Sequence, residues 1–154
     1  METETLERLL AELPLFQGMK GEHLALIAGC ASNVRFEDGE FVARYGEPAD
    51  WFWIIRHGRV ALEIHATGRG AVTIETVGEN EVLGWSWLLP PHQWHFDARA
   101  LTLTRAIRFD GRCLRGKFDH DRELGYELMR RFAQIIVQRL EATGLQLLDI
   151  YGDH

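Results

Sequence analysis

The sequence predicts a mainly β protein with flanking helices, built as an antiparallel sandwich or jelly roll. Between residues 34 and 110, apolar residues largely alternate with polar ones in short runs separated by glycine-containing turns. That pattern is typical of many short antiparallel strands. Residues 1–33 and 121–151 instead space their apolar residues by three and four, which is the period of an amphipathic helix. We therefore expect a single domain over residues 1–154.

The N-terminal segment predicts two short helices. Apolar residues have helical spacing within residues 5–11, and Pro14 ends or bends that helix because proline lacks the amide hydrogen. A second helix is predicted over residues 22–30, with Leu24 and Ile27 facing inward.

The predicted strands follow, and their turns are marked by glycine. Asp38-Gly39, His57-Gly58 and Gly68-Arg69-Gly70 are turn sequences, because glycine adopts positive φ without steric cost. The apolar residues that define the strands are Phe36, Phe41, Trp53, Ile55, Val60, Leu62, Ile64, Val72, Ile74 and Val77.

Residues 121–151 predict one long helix with two apolar faces. The first face carries Leu124, Leu128, Phe132 and Ile135. The second is a heptad seam of Met129, Ala133, Ile136, Leu140, Thr143, Leu147 and Ile150. Two apolar faces need two covering surfaces, and the seam favours the same helix of a second subunit around a two-fold axis. We expect a parallel homodimer interface of Met129, Ala133, Ile136, Leu140 and Leu147. Gly144 costs the helix about 1 kcal/mol relative to alanine, which predicts a kink or an end there.

Composition and charge exclude several classes of protein. The net charge is −6, whereas a dedicated DNA-binding protein usually has a basic face. No apolar run is long enough for a membrane span, and the first residues lack the layout of a signal peptide, so we expect a cytoplasmic protein. Cys30 and Cys113 fit a reduced cytoplasm as lone thiols, and a disulfide between them stays open.

The strand region resembles a known family. The matching residues are Phe36-x-x-Gly39-x-x-Val42, Gly46-Glu47-Pro48-Ala49-Asp50 and Trp53-x-Ile55-x-x-Gly58-x-Val60. They resemble the cyclic nucleotide-binding domain of catabolite-activator and fumarate-nitrate-regulator proteins and of kinase regulatory subunits, over roughly Leu9 to Thr143. The resemblance implies a double-stranded β-helix, or jelly roll, in which the long helix forms the dimer interface and covers the ligand. It also implies that Thr143 meets the nucleotide base.

The phosphate-binding cassette, residues 84–99, departs from the family pattern. A glycine-glutamate pair opens that cassette in the family and an arginine-serine-alanine run closes it. Here Gly84 fits the glycine, but Trp85 occupies the glutamate position. Either Trp94-His95 or Phe96-Asp97 occupies the arginine and serine positions, so neither register supplies an arginine. We therefore expect weak or absent binding of cyclic AMP and cyclic GMP.

Aromatic residues crowd this cassette, and two interpretations remain open. The rings fill the vacated pocket as extra core, or they line a pocket retuned for a flat or apolar ligand. Arg99 either replaces the missing arginine or is an outward strand residue. The candidate pocket residues are Gly84, Trp85, Ser86, Trp87, Trp94, His95, Phe96, Arg99 and Thr143.

Metal and catalytic sites have little support in the sequence. His92 and His95, three residues apart, together with His65 suggest a haem or metal sensor, but single histidines are more often surface residues. No His-x-His pair, phosphate loop or Gly-x-Ser-x-Gly occurs, so we expect no enzyme, no metal and no certain cofactor, with a cyclic nucleotide or another small ligand left open. Since no helix-turn-helix follows, we expect a regulatory sensor domain that signals through its dimer and an unknown partner protein, without direct nucleic-acid binding. The alternative is a ligand-free structural dimerisation module.

Overall fold

The computed structural model describes residues 2–152, and the side chains of residues 5–145. Along the described chain, two helices and a 3-10 turn precede eight strands, and two further helices follow them. In chain order the elements are α1 (Glu2–Glu12), the 3-10 turn Pro14–Phe16, α2 (Gly21–Ala28), β1 (Ala31–Phe36), β2 (Phe41–Ala43), β3 (Trp51–His57), β4 (Val60–Ala66), β5 (Gly70–Val77), β6 (Val82–Leu83), β7 (Asp97–Ala100), β8 (Thr104–Asp110), α3 (Gly111–His120) and α4 (Arg122–Gly152).

The strands form two four-stranded sheets. One has the order β1-β8-β3-β6 and the other β2-β7-β4-β5, and every pairing is antiparallel. This confirms the predicted jelly roll. Alternate residues of both sheets meet in one buried core, which includes Trp53 and Ile55 of β3, Val60 and Leu62 of β4, and Ala98 of β7.

A second apolar cluster lies on the opposite face of β3. Phe52 stacks on Phe109 with ring centroids 4.3 Å apart, and Phe16 of the 3-10 turn lies 5.7 Å from Phe109. All three side chains are fully buried. The sheet β1-β8-β3-β6 is therefore apolar on both faces, which explains why Trp51–His57 is a nearly continuous apolar run.

Cys30 and Cys113 form a disulfide with their Cα atoms 5.9 Å apart. The expectation of two lone thiols is therefore wrong. The two residues are 83 positions apart, but strand pairing brings them together. Ala31 at the start of β1 is the register partner of Phe109 near the end of β8, so Cys30 and the first turn of α3 are neighbours.

The chain divides into two compact units, residues 1–117 and 118–154. The second unit contains α4, which runs from Arg122 to Gly152, so the helix does not end near Gly144. Asp121 caps this helix, because its Oδ1 accepts a hydrogen bond from the amide of Leu124 at 3.0 Å. Helix α3 was not predicted. Among the described residues, no helix is both long and apolar enough to span a membrane.

Candidate functional site

The cassette connects β6 to β7 and opens with Gly84. This residue has φ +94°, a region that only glycine adopts readily. A Cβ atom placed there would lie 2.7 Å from Cη2 and 2.9 Å from Cζ3 of Trp94. The indole ring of Trp94 therefore lies directly against the glycine at which the family's phosphate cradle begins.

Trp94 is part of the core between the two sheets. It is 3% exposed, and its ring centroid lies 5.7 Å from those of Trp53 and Phe96. Its backbone is held on both sides, because its amide donates to the carbonyl of Glu47 at 3.0 Å and its carbonyl accepts from the amide of Gly46 at 2.8 Å. The Gly46-Glu47 turn that carries part of the family resemblance thus fixes the residue whose ring covers Gly84.

Both possible registers of the cassette place an aromatic ring at the arginine position. Trp94 and Phe96 belong to the buried core cluster, with exposures of 3% and 8%. His95 between them is exposed and Asp97 is not in that cluster. Where the family pattern directs a guanidinium at a phosphate, this chain therefore directs an indole or a phenyl ring.

The remaining cassette residues do not converge on one site. Trp87 is fully buried, but its ring stacks on Phe52, 4.9 Å away, on the face of β3 opposite Trp53. Its carbonyl accepts a hydrogen bond from Nη1 of Arg115. This corrects the expectation that Trp87 lines the pocket, since it anchors the cassette to the second apolar cluster. Trp85 and Ser86 are half-buried.

Arg99 faces away from the core. Its neighbours Ala98 and Ala100 belong to the core cluster, and successive strand residues face opposite sides. Arg99 instead forms a bidentate pair with Glu63, with Nε–Oε1 and Nη2–Oε2 distances of 3.0 Å each. This hydrogen-bonded guanidinium lowers the pKa of Glu63 below its ordinary value, although burial opposes the shift. Of the two alternatives for Arg99, the structure therefore has the outward strand residue, paired with Glu63.

A second carboxylate completes an ionic cluster on this outer face. Asp97 is 5% exposed and is the register partner of Glu63. Its Oδ1 accepts from the amide of Tyr45 at 2.7 Å, and its Oδ2 lies 3.3 Å from Nε2 of His65. Sequence reasoning missed Glu63, whose signal was a single carboxylate in the otherwise apolar run of residues 60–64.

The site residues expected on α4 are mostly exposed. Thr143 is exposed, and its hydroxyl donates to the carbonyl of Arg139 at 2.9 Å. On the seam, Met129 is 44% exposed and Leu140 is 69% exposed. Ala133 is also exposed and Ile136 is half-buried, whereas the side chain of Leu147 lies outside the described residues. In contrast, Leu124, Leu128 and Phe132 of the first face are fully buried.

The histidines do not assemble a metal site in the described part of the chain. There, no group of three or more His, Cys, Asp or Glu side chains has a geometry that could hold a metal ion. His92 is half-buried and His95 is exposed.

The strands and the cassette match the sequence model of a known family. The sequence model described as Cyclic nucleotide-binding domain matches residues 33–121, which is more than half of the chain. The chain belongs to this family. The match covers the altered cassette and, apart from the first two residues of β1, both sheets.

A transcriptional regulator is similar to this chain in sequence. A CRP-like cAMP-activated global transcriptional regulator from Mycobacterium tuberculosis is 26% identical over 145 residues, covering 94% of this chain and 63% of the relative. The chain thus spans less than two thirds of that relative's length.

Solved structures show the same architecture. A cyclic nucleotide-binding domain from Methylobacillus flagellatus KT has a TM-score of 0.80 at 17% identity, covering 96% of this chain and 83% of that one. The sensor domain of the transcriptional regulator DNR from Pseudomonas aeruginosa has a TM-score of 0.72 at 20% identity, covering 92% and 95%. The regulatory subunit of a cAMP-independent protein kinase A from Trypanosoma brucei has a TM-score of 0.70 at 22% identity, covering 86% and 47%.

Proposed function

We propose that this chain is a non-catalytic regulatory domain whose roll does not bind cyclic AMP or cyclic GMP tightly. The position of Trp94 carries the proposal, since its ring lies against Gly84 and is buried in the core. A cyclic phosphate bound at Gly84, as the family pattern implies, would meet this ring, and neither cassette register offers it a guanidinium.

The energetic cost of these changes is large. Losing one partner of a buried charged hydrogen-bonded pair costs roughly 2–5 kcal/mol, and each 1.4 kcal/mol is about tenfold in affinity. The nearest arginine of the cassette, Arg99, is already paired with Glu63. Moving it inward would leave a nearly buried carboxylate unpaired.

The names of the relatives show that one fold serves different ligand responses. The Mycobacterium tuberculosis relative is called cAMP-activated, and the Trypanosoma brucei subunit is called cAMP-independent. A variant of that subunit with three substitutions, one of which introduces an arginine, was crystallised with cyclic AMP in its A site. The same fold therefore occurs in a protein called cAMP-activated and in one called cAMP-independent.

Calorimetry with cyclic AMP and cyclic GMP tests this proposal. We expect a dissociation constant weaker than about 1 mM for the wild type, which corresponds to about 4 kcal/mol of binding. The double variants Trp85→Glu/Trp94→Arg and Trp85→Glu/Phe96→Arg restore the family pattern in each register, and Trp85→Glu alone is the matched control. A wild-type dissociation constant near 1 μM, about 8 kcal/mol, would overturn the proposal.

We also propose that the output passes through a homodimer and a partner protein in the cytoplasm. The seam residues Met129 and Leu140 are exposed, which supports an interface on that face of α4. The variant Ile136→Asp should be monomeric or aggregated, and Gln138→Asp, at an exposed polar position outside the seam, should behave as the wild type. Sedimentation that shows a monomeric wild type at about 50 μM, where a micromolar dimer is mostly assembled, would contradict this.

A ligand-free structural module is the second candidate, and the backbone bonds that hold Trp94 favour it. A thermal-shift panel of flat and apolar metabolites separates the two, since a ligand at about 100 times its dissociation constant adds about 2.7 kcal/mol of stability. A shift that disappears in Trp94→Ala supports a sensor. No shift across the panel supports the structural module.

A further inference from the structure

The Cys30–Cys113 disulfide joins the segment between α2 and β1 to helix α3. Cys30 lies between α2 and β1, and Cys113 lies in the first turn of α3. The amide of Asp110 donates to the carbonyl of Cys30 at 2.9 Å. The bond therefore links the N-terminal helical segment to the first turn of α3, beside the paired ends of β1 and β8.

The two cysteine residues differ in exposure. Cys30 is 7% exposed, whereas Cys113 is half-buried. An incoming thiolate attacks a disulfide along the S–S axis and needs access to one sulfur. Cys113 is thus the sulfur that reacts, and Cys30 is the leaving group.

The surroundings of the pair favour the thiolate form once the bond is broken. Cys113 lies at the N-terminus of a ten-residue helix, where the helix dipole favours negative charge. The ammonium of Lys117 donates to the carbonyl of Leu26 at 2.6 Å and lies against Gly29, the residue before Cys30. Asp110 offsets part of this effect, because its carboxylate caps the same turn through the amide of Cys113 at 3.1 Å.

Helix α3 also contacts the cassette. The amide of Gly111 donates to the carbonyl of Asp50 at 2.7 Å. Arg115 donates to the carbonyl of Trp87 and lies 3.8 Å from the Asp50 carboxylate. The helix that the disulfide fastens at one side thus holds Trp87 at the other, and one residue, Asp121, separates its end from the start of α4.

We propose that Cys30 and Cys113 form a reversible redox site, reduced by small thiols and oxidised by hydroperoxides, whose state sets the order of α3 and of the Trp87 segment. This goes beyond the proposed function, because it gives the domain an input that does not use the filled roll.

Both steps balance. In reduction, a thiolate attacks Sγ of Cys113, the Cys30 thiolate leaves and takes up a proton, and a second thiol releases Cys113 from the mixed disulfide. The net change is one protein disulfide and two thiols converted to two protein thiols and one small disulfide. In oxidation, the Cys113 thiolate attacks the hydroperoxide to give a sulfenic acid and an alcohol. Cys30 then attacks that sulfur and water leaves, which restores the disulfide.

Thiol counting and hydrogen exchange on the wild-type protein test the proposal. Treatment of the folded chain with millimolar dithiothreitol should expose both of its cysteines to maleimide, and hydrogen peroxide should remove both again. Amide exchange should become faster after reduction in α3 and around Trp87, and stay unchanged in β4 and β5. A disulfide that resists dithiothreitol until the protein is denatured would overturn the proposal. Equal exchange in both redox states would do so as well.

Single serine variants test the direction of the chemistry. After peroxide, Cys30→Ser should carry a dimedone adduct on Cys113, formed about tenfold faster than the adduct on Cys30 in Cys113→Ser, because access and thiolate character both favour Cys113. The double serine variant should show the same exchange with and without dithiothreitol. Equal or reversed labelling rates would contradict the assignment of Cys113 as the reacting sulfur. If a serine variant does not fold, the wild-type measurements decide alone.

Discussion

The two faces of strand β7 have opposite chemistry. On the inner face, Ala98 and Ala100 pack with the rings of Trp94 and Phe96, which precede the strand. On the outer face, Asp97 and Arg99 pair with residues of neighbouring segments. In the family pattern the arginine at the end of the cassette serves the ligand inside the roll. Here ionised groups remain in the same few residues, but they face outward.

This difference shows that one short segment stabilises the fold in two ways. The inner rings supply the apolar burial that stabilises a core. The outer pair satisfies Glu63, which would otherwise be a costly buried charge. The comparison predicts that inner substitutions change stability through packing, and that outer substitutions change it through charge.

The largest expected effect is that of Trp94→Ala. Deleting a large ring from a packed core costs about 3–5 kcal/mol, because lost burial and a residual cavity add. Chemical denaturation measures this directly. Trp85→Ala, at a half-buried position in the same segment, is the control and should cost about 1–2 kcal/mol. An unfolding free energy unchanged by Trp94→Ala would mean that the ring is not part of the core.

The next effect is that of Gly84→Ala, which we expect to cost about 2–4 kcal/mol. Positive φ strains an alanine, and its methyl group would overlap the Trp94 ring. In a Trp94→Ala background only the backbone strain should remain, at about 1–3 kcal/mol. A double-mutant cycle measures the coupling. Equal costs in both backgrounds would show that the ring does not press on Gly84.

On the outer face, Arg99→Gln should lower the free energy of unfolding, by less than the inner substitutions do. It leaves Glu63, whose side chain is 8% exposed, without its guanidinium, but the 36% exposure of the Arg99 side chain limits the loss. Arg105→Gln, at an exposed position on β8, is the control and should stay within about 0.5 kcal/mol of the wild type. Equal losses of unfolding free energy in the two variants would show that the Arg99–Glu63 pair does not stabilise the protein specifically.

The smallest effect is a pH dependence carried by Glu63. Its pKa is lowered in the folded state from an ordinary value of 4.5, so the folded state holds its charge more tightly than the unfolded chain does. The stabilisation is therefore complete at neutral pH and is lost as the pH falls through the folded-state pKa. The stability difference between wild type and Glu63→Gln should shrink between about pH 7 and pH 3. A constant difference over that range would contradict it.

Periodicity explains which parts of the molecule were predictable. The alternation of residues 34–110 indicated the roll, and the spacing by three and four indicated α1, α2 and α4. Helix α3 was missed because Gly111 and Gly116 weaken its pattern. The disulfide was missed because 83 positions separate Cys30 and Cys113, and only the pairing of β1 with β8 brings them together.

Residue types in their linear order are enough to predict the family, the fold and the missing cassette arginine. The contacts of Trp94 with Gly84, of Trp87 with Phe52 and of Arg99 with Glu63 depend on the tertiary structure. Strand alternation shows which residues share a face, but not which face lies inside or which residue stands opposite. That is set by the register between strands, and a register exists only once distant segments of the chain have packed together.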